Sequence, residues 1–215
     1  MNDNVTVTVV DHPLVVDALA QIRDKTTPNA LFRQNLERIG TLLLAQATLA
    51  LPTVDTTVET PLTTAPARRL AVQPVVVPIL RAGLGMLDGM MRMLPTAEVG
   101  FVGMVRNEQT LEAKTYAHRL PEDLDRRQCY VLDPMLATGG TLSAAIHFLV
   151  DLGADDITAI CLLAAPEGIQ RLERDVAGIE PPIHLVTGAV DERLNDAGFI
   201  VPGLGDAGDR LYGVV

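Results

Sequence analysis

Tryptophan is absent from this chain of 215 residues, and four phenylalanines and three tyrosines bring the aromatic share to only 3%. A folded core must therefore be built from Val, Leu, Ile and Ala, which suits strands buried on both faces of a parallel sheet. Basic residues are in deficit, 17 against 27 acidic, for a net charge of −10. Broad nucleic-acid binding needs a basic field and is not expected on that ground. A small anion held by a local cluster is not, because a few donors can outvote the global sign. Cysteine is scarce as well: Cys129 and Cys161 each lie in an apolar, strand-like run. They are expected as buried, reduced thiols in a cytoplasmic protein. No apolar run reaches membrane-spanning length, so no membrane partner is expected. The first ten residues lack the basic start and long apolar stretch of a secretion signal. Internal repeats and low-complexity tracts are not evident. With 48% hydrophobic residues, the composition is that of a globular chain, and residues 1–215 are expected to form one domain.

What is present centres on Cys129–Leu149, CYVLDPMLATGGTLSAAIHFL. Tyr130, Val131 and Leu132 make a short apolar run that Asp133 closes. Leu142, Ala145, Ile146, Leu149 and Val150 then recur on one helical face. The reading is strand, small-residue loop, helix. A helix start leaves N–H groups without partners and carries partial positive charge, so it suits a phosphate. Gly139 and Gly140 let the backbone curl closely around an anion, and Thr138 and Thr141 add hydroxyl donors. Asp133, at the carboxyl end of its strand, would repel a phosphate but can accept hydrogen bonds from sugar hydroxyls. Phosphate donors beside a sugar acceptor describe a ribose phosphate site. Neither GxxxxGK[ST] nor GxGxxG occurs here.

Along the rest of the chain, Val5, Val7 and Val9 alternate as a strand. Val15, Ala18, Leu19 and Ile22 have helical spacing. Thr27 and Pro28 resemble an N-cap and first-turn pair for a helix running to about Ala50. Residues 53–73 are expected as extended pieces and loops, with Arg68 and Arg69 solvated. Val75–Leu80 reads as a buried strand, with Pro78 marking a strand end or edge. Arg81–Gly85 then forms a second tight strand-to-helix turn, and an arginine there can clamp a pyrophosphate. Val99, Phe101, Gly103 and Val105 alternate as a strand that ends at Arg106. Residues 107–127 have no apolar periodicity and are expected as a mobile arm or lid carrying Lys114, Tyr116, His118 and Arg119. Gly153 is a plausible helix stop. Ile157–Ala164 and Ile183–Val190 read as strands, with a helix over Pro166–Val176 between them. Asp191 and Glu192 are expected as surface acids. The last segment, Asn195–Gly213, is rich in glycine yet holds Phe199, Ile200, Val201, Leu204 and Leu211, so it reads as an ordered loop that presents backbone groups. Gly203, Gly205 and Gly208 would let those groups approach a planar ligand edge.

The stretch DPMLATGGT resembles the ribose-5-phosphate loop of the type I phosphoribosyltransferases, with Pro134 in place of the second acid usual in that family. PILRAG and NDAGFIVPGLGDAGDRLYG are similar to the pyrophosphate- and base-binding stretches of its uracil-specific branch. The resemblance runs from about His12 to Gly213. It implies an α/β fold with a parallel sheet of the type I phosphoribosyltransferase kind, flanked by helices and carrying a small β-arm or lid. The implied reaction converts uracil and 5-phospho-α-D-ribose 1-diphosphate (PRPP) to UMP and diphosphate, in pyrimidine salvage. The implied PRPP contacts are Arg81, Arg106, Asp133, Pro134, Met135, Leu136, Ala137, Thr138, Gly139, Gly140, Thr141 and Asp206. The implied uracil contacts are Ile200, Gly205, Asp206 and Ala207. No protein nucleophile is implied; Arg81, Arg106 and Asp133 would stabilise charge, and Lys114 is the first candidate in the lid, where EAKTYAHRLP departs from the family's usual KLP-containing stretch. Mg²⁺ is expected to ride on the diphosphate rather than in a protein cage. A homo-oligomer, dimer or larger, and GTP as a candidate activator are carried as expectations. Two alternatives stand beside this one: an RNA-binding regulator of pyrimidine genes on the same fold, and a phosphoribosyltransferase for another base. The first needs a basic face, against a charge of −10.

Overall fold

The computed structural model describes residues 4–106 and 113–213, and for residues 105, 106 and 113–116 it describes the backbone alone. The chain opens with β1 (Val5–Val9), α1 (Pro13–Arg23) and α2 (Asn29–Ala47). Thr27 does not cap α2. Its hydroxyl donates instead to the Gln21 carbonyl at 2.5 Å, and Pro28, extended at φ −62° and ψ 149°, occupies the cap position. A hairpin follows, β2 (Thr53–Glu59) paired antiparallel with β3 (Thr64–Leu70), where sequence alone suggested looser pieces. Arg68 on it is 69% exposed and faces Asp55 at 3.4 Å, a solvated pair as expected.

Next come β4 (Val75–Leu80), α3 (Leu84–Met93), β5 (Glu98–Val99), β6 (Phe101–Arg106) and β7 (Ala113–Arg119). They are followed by β8 (Gln128–Leu132), β9 (Met135–Leu136), α4 (Gly140–Asp151), β10 (Asp156–Ala164) and α5 (Pro166–Asp175). The chain finishes with β11 (Ile183–Val190), the short pair β12 (Arg193–Leu194) and β13 (Ile200–Val201), and α6 (Ala207–Tyr212). Gly153 ends α4 at φ 94°, a conformation glycine adopts without steric cost.

The main sheet runs in the order β1-β11-β10-β8-β4-β6-β7, parallel except for the antiparallel β6–β7 edge. From β4 the chain crosses to β6 on one side; from β8 it crosses to β10 on the other. The order therefore reverses between β4 and β8, and such a switch point opens a crevice beyond the carboxyl ends of the strands. Leu80 and Leu132 end the two strands that flank it. Alternation along the strands then divides the core. Val76, Tyr130, Leu132, Ile160 and Val186 pack against α1, α2 and α3. Val75, Val77, Val131, Cys161 and Leu185 pack against α4 and α5. Ile157–Ala164 is buried at every position, as an aliphatic strand covered on both faces requires.

Pro78 corrects the expectation of a strand end or edge. It lies within an interior strand, at a break in the ladder: Val76 pairs with Val99 of β5, Ile79 pairs with Val102 of β6, and the pairing between is interrupted. A residue without an N–H is tolerated there.

Candidate active site

Three loops gather at the carboxyl edge. The first joins β8 to α4. Gly139 caps α4 in the left-handed region, φ 81°, and a Cβ there would lie 2.7 Å from the Gly168 carbonyl oxygen, so only glycine fits. Its carbonyl accepts from both the Ser143 amide, at 3.0 Å, and the Ser143 hydroxyl, at 2.9 Å. The first turn of α4 carries no acid, leaving the helix end positive. A cleft of about 140 Å³ is lined by Asp133, Met135–Gly139, Thr141 and Leu142. Pro134, expected as a ligand contact, is buried and outside this lining; its carbonyl accepts from the Leu162 and Leu163 amides at 2.9 and 3.2 Å. Burial pushes the Asp133 carboxyl up to about 6, against a weak opposing hydrogen bond from the Met135 amide. Among the described residues its one donor is that long Met135 amide contact, at 3.5 Å, which leaves acceptor capacity for a ligand. Arg171 of α5, unanticipated from sequence, places its guanidinium carbon 3.6 Å from where a Cβ of Gly140 would stand, and its Nε pairs with Asp175 at 3.0 Å.

The second loop follows β4. Gly83 sits so close to the sheet that a Cβ would lie 2.4 Å from the Leu132 carbonyl oxygen. That contact draws the Arg81 turn against the end of β8. Arg81 is exposed, and its carbonyl accepts from the Tyr212 hydroxyl at 3.3 Å, which ties the turn to α6. Arg106 ends the neighbouring β6, and its side chain lies outside the described residues, as does that of Lys114 on β7. Much of the expected lid, residues 107–112, also lies outside them. His118, by contrast, is placed: its ring meets Phe148 edge-on at 4.9 Å, about two turns along α4 from the glycine loop.

The third loop is the C-terminal segment. Asn195 Oδ1 accepts from the Ala197 and Phe199 amides at 3.1 and 2.9 Å, closing the turn between β12 and β13. A pocket of about 210 Å³ is lined by Met135, Ala137, Ala197–Ile200 and Gly205–Ala207. Ile200 and Ala207 supply buried apolar walls, 5% and 4% exposed. Gly203, at φ 60°, would bring a Cβ within 2.1 Å of the Ile200 carbonyl oxygen, and Gly205 sits at φ 82°. Gly208, in contrast, lies in the first turn of α6 without positive φ. Asp206 is exposed on the pocket rim and caps α6, accepting from the Asp209 amide at 2.8 Å. Met135 and Ala137 line both this pocket and the glycine-loop cleft. The two sites expected from sequence are therefore adjoining compartments of one crevice.

Asp191 corrects an expectation. Glu192 is a surface acid, 70% exposed, but the Asp191 side chain is 5% exposed and grips the Arg23 guanidinium at 2.6 and 2.7 Å. Its signal in the sequence was its position, at the carboxyl end of a central strand like Asp133. Arg210 was also missed: it donates to the Leu204 carbonyl at 3.0 Å and to the Asp24 carbonyl at 2.8 Å, with its guanidinium 4.4 Å from the Phe32 ring centroid.

Among the described residues, no group of three or more His, Cys, Asp or Glu is placed to hold a metal ion, and no helix is long and apolar enough to cross a membrane. Among the described residues, the crevice offers a positive helix end with hydroxyls, Asp133 beside it, and an apolar slot rimmed by backbone groups and Asp206.

A family model for uracil phosphoribosyltransferase matches residues 9–214. A uracil phosphoribosyltransferase of Nocardioides sp. is 63% identical over 208 residues, 96% of this chain and 98% of that protein. One from Streptomyces griseus is 61% identical over 206 residues, 95% and 97% of the two chains. Among solved structures, the AQ2163 protein from Aquifex aeolicus has a TM-score of 0.91 at 39% identity, covering 97% of this chain and 99% of that one. A hypoxanthine phosphoribosyltransferase from Staphylococcus aureus, with a TM-score of 0.50 at 16% identity over 75% and 76% of the chains, shares the fold alone.

Proposed function

Because the chain belongs to the uracil phosphoribosyltransferase family, we propose that its two-compartment crevice makes UMP and diphosphate from uracil and PRPP, a step of pyrimidine salvage. The observation that carries this reading is the shared wall of Met135 and Ala137, which sets a ribose-phosphate cleft beside a base-sized slot. The 5-phosphate lies on the amides and hydroxyls of Thr138–Thr141, at the positive end of α4. Asp133 accepts hydrogen bonds from the ribose hydroxyls. Arg81 and Arg106, at the ends of adjacent strands, hold the diphosphate. Uracil enters between Ile200 and Ala207, and main-chain groups about Gly205 read its polar edge. A base presenting the wrong edge leaves those groups unpaired, which is costly in a buried site.

In the reaction, uracil N1 bonds to the anomeric carbon, the bond from that carbon to the diphosphate oxygen breaks, and the N1 proton is released. The sugar becomes oxocarbenium-like as diphosphate departs. The protein's part is to align the reactants and to balance charge. No side-chain nucleophile is required. With Asp133 as the one carboxylate lining the ribose-phosphate cleft, and no group of three or more metal-ligating side chains among the described residues, the donor set fits Mg²⁺ brought in on the diphosphate, where it would supply charge neutralisation for the leaving group. Asp133 and waters are the groups available to it.

The direct test is UMP formation from uracil and PRPP by the purified chain, with and without Mg²⁺. Turnover that needs both substrates and the metal is expected; no uracil-dependent release of diphosphate would sink the reading. Self-association is part of the same proposal. The β2–β3 hairpin supports it by exposing Val54 at 50% and Leu62 at 95%, and sedimentation should find a dimer or larger species.

A further inference from the structure

Two groups that line neither substrate compartment reach the base pocket through its backbone. Asp191 stands at the end of β11 with its own amide bonded to the Ala164 carbonyl at 2.9 Å, so the sheet fixes it. Arg23 is the last residue of α1. The two meet in a two-pronged ion pair at 2.6 and 2.7 Å, 168 residues apart in sequence. Between them they take both polar groups of one residue. The Gly203 amide donates to Asp191 Oδ2 at 2.9 Å, and the Gly203 carbonyl accepts from Arg23 Nη1 at 2.9 Å.

Gly203 lies between the two pocket walls, Ile200 before it and Gly205–Ala207 after it. Its left-handed backbone, φ 60°, packs so tightly on the Ile200 carbonyl that no Cβ fits. Fixing this residue therefore fixes the turn that sets the distance between the walls. Arg210 braces the next residue by holding the Leu204 carbonyl at 3.0 Å, while it also donates to the Ile22 and Asp24 carbonyls. The loop is thus tied to the α1–α2 corner at two successive residues. Charge-assisted bonds of this kind are directional, and a planar guanidinium can serve a carboxylate and a carbonyl at once where an ammonium cannot hold the same fork.

We propose that Arg23 and Asp191 are positioning residues for the base: by clamping the Gly203 peptide groups they set the width of the uracil slot, and hence affinity for the base rather than for PRPP. This rests on the uracil reading given above. A fold staple is the competing role. It is the weaker one, because a largely desolvated ion pair adds little net stability, and both members of this pair also bond to the loop at Gly203. Arg23 also lines an outer pocket of about 390 Å³, with Lys25, Gly203 and Arg210, which shares Gly205 and Asp206 with the base pocket.

The test uses the full chain with Arg23→Ala, Arg23→Lys and Asp191→Asn, each titrated with uracil at saturating PRPP and the reverse. The KM for uracil is expected to rise about tenfold or more while that for PRPP stays within about twofold. Arg23→Lys should recover only part of the loss. Combining Arg23→Ala with Asp191→Asn should cost little beyond either alone, since the two act as one unit. Guanidinium ion, admitted through the outer pocket, should lower the uracil KM of Arg23→Ala and leave the parent unchanged. The proposal is overturned if the uracil KM does not move, or if both KM values rise together. Should Arg23→Ala fail to fold, the near-isosteric Asp191→Asn decides by the same split. A parent chain inactive toward uracil would instead overturn the proposed function.

Discussion

Thr138, in the loop after β8, and Gly198, in the turn between β12 and β13, approach each other across the crevice: the Thr138 methyl lies 3.5 Å from the place a Cβ on Gly198 would occupy. The loop assigned to the 5-phosphate and the loop assigned to the base thus approach so closely that a single methyl group on Gly198 would bring them into contact. A nucleotide has its phosphate and base at opposite ends of one sugar, so loops that recognise both must stand about one ribose apart. The close approach of Thr138 and Gly198 keeps the two loops within that span.

Glycines in the base loop should differ in how badly they tolerate a methyl group. Gly205→Ala meets open space, with Arg210 Cδ at 4.0 Å, and costs chiefly its positive φ, on the order of 1–2 kcal/mol. Gly203→Ala carries a similar cost and also drives a Cβ to within 2.1 Å of the Ile200 carbonyl oxygen. Thermal unfolding should rank the parent above Gly205→Ala and Gly205→Ala above Gly203→Ala. A reversed order of the two variants would show that the turn relaxes freely.

Asp133 should trade stability for function. Its carboxyl is raised by burial to about 6 from 3.8, so the folded chain holds a proton there between those two values that the unfolded chain has released. The contribution of this group to stability is therefore greatest below the lower value, declines as pH rises through the window, and is level above the upper one. Asp133→Asn removes the cost of burying the charge and should stabilise the apo protein at neutral pH by on the order of 2–3 kcal/mol. The same change removes the sugar acceptor, so kcat/KM for PRPP should fall steeply. In the parent, kcat/KM for PRPP should fall as pH drops through about 6, as shown by initial rates across pH. A flat profile there would remove Asp133 from the assigned role.

Arg106→Ala and Arg81→Ala should damage turnover far more than the fold. Arg81 is exposed, and a surface substitution away from packing contacts changes stability by about 0.5 kcal/mol or less. Losing a charge-assisted contact to the leaving group should lower kcat by a factor of about one hundred. Melting temperature and kcat measured on the same preparations check this; equal damage to both contradicts it.

Cys129 and Cys161 should resist alkylation in the folded protein. Both are 0% exposed. Burial pushes the Cys129 thiol up to about 12 and that of Cys161 well above its ordinary value, with Asp133 adding repulsion in the second case. Thiolates are the reactive form. Iodoacetamide at neutral pH should therefore label neither until denaturant is added, and mass spectrometry of the native protein shows the outcome.

Local patterns proved legible and long-range pairings did not. The Val5–Val9 alternation, the helical face of Leu142, Ala145, Ile146 and Leu149, and the glycines at 139 and 203 each announce themselves within a few residues, because strand period, helix period and left-handed backbone are local properties. Asp191 is different. Its place at the end of β11 is legible, but its partner is not, because Arg23 lies 168 residues away in sequence. Pro78 misled for a similar reason, since the break between β5 and β6 that accommodates it lies some twenty residues downstream in the sequence. Thr27 satisfied its hydroxyl with Gln21 in the preceding helix end, a competition that a capping rule based on the next helix does not include.

The central claim is that one nucleotide spans both loops, and a crystal structure with bound UMP tests it most directly. The account predicts the phosphate within hydrogen-bonding distance of the Thr138–Thr141 amides and the uracil ring between Ile200 and Ala207, with the ribose over Asp133. UMP bound elsewhere, or bound with its base outside the Gly198–Ala207 pocket, would contradict it.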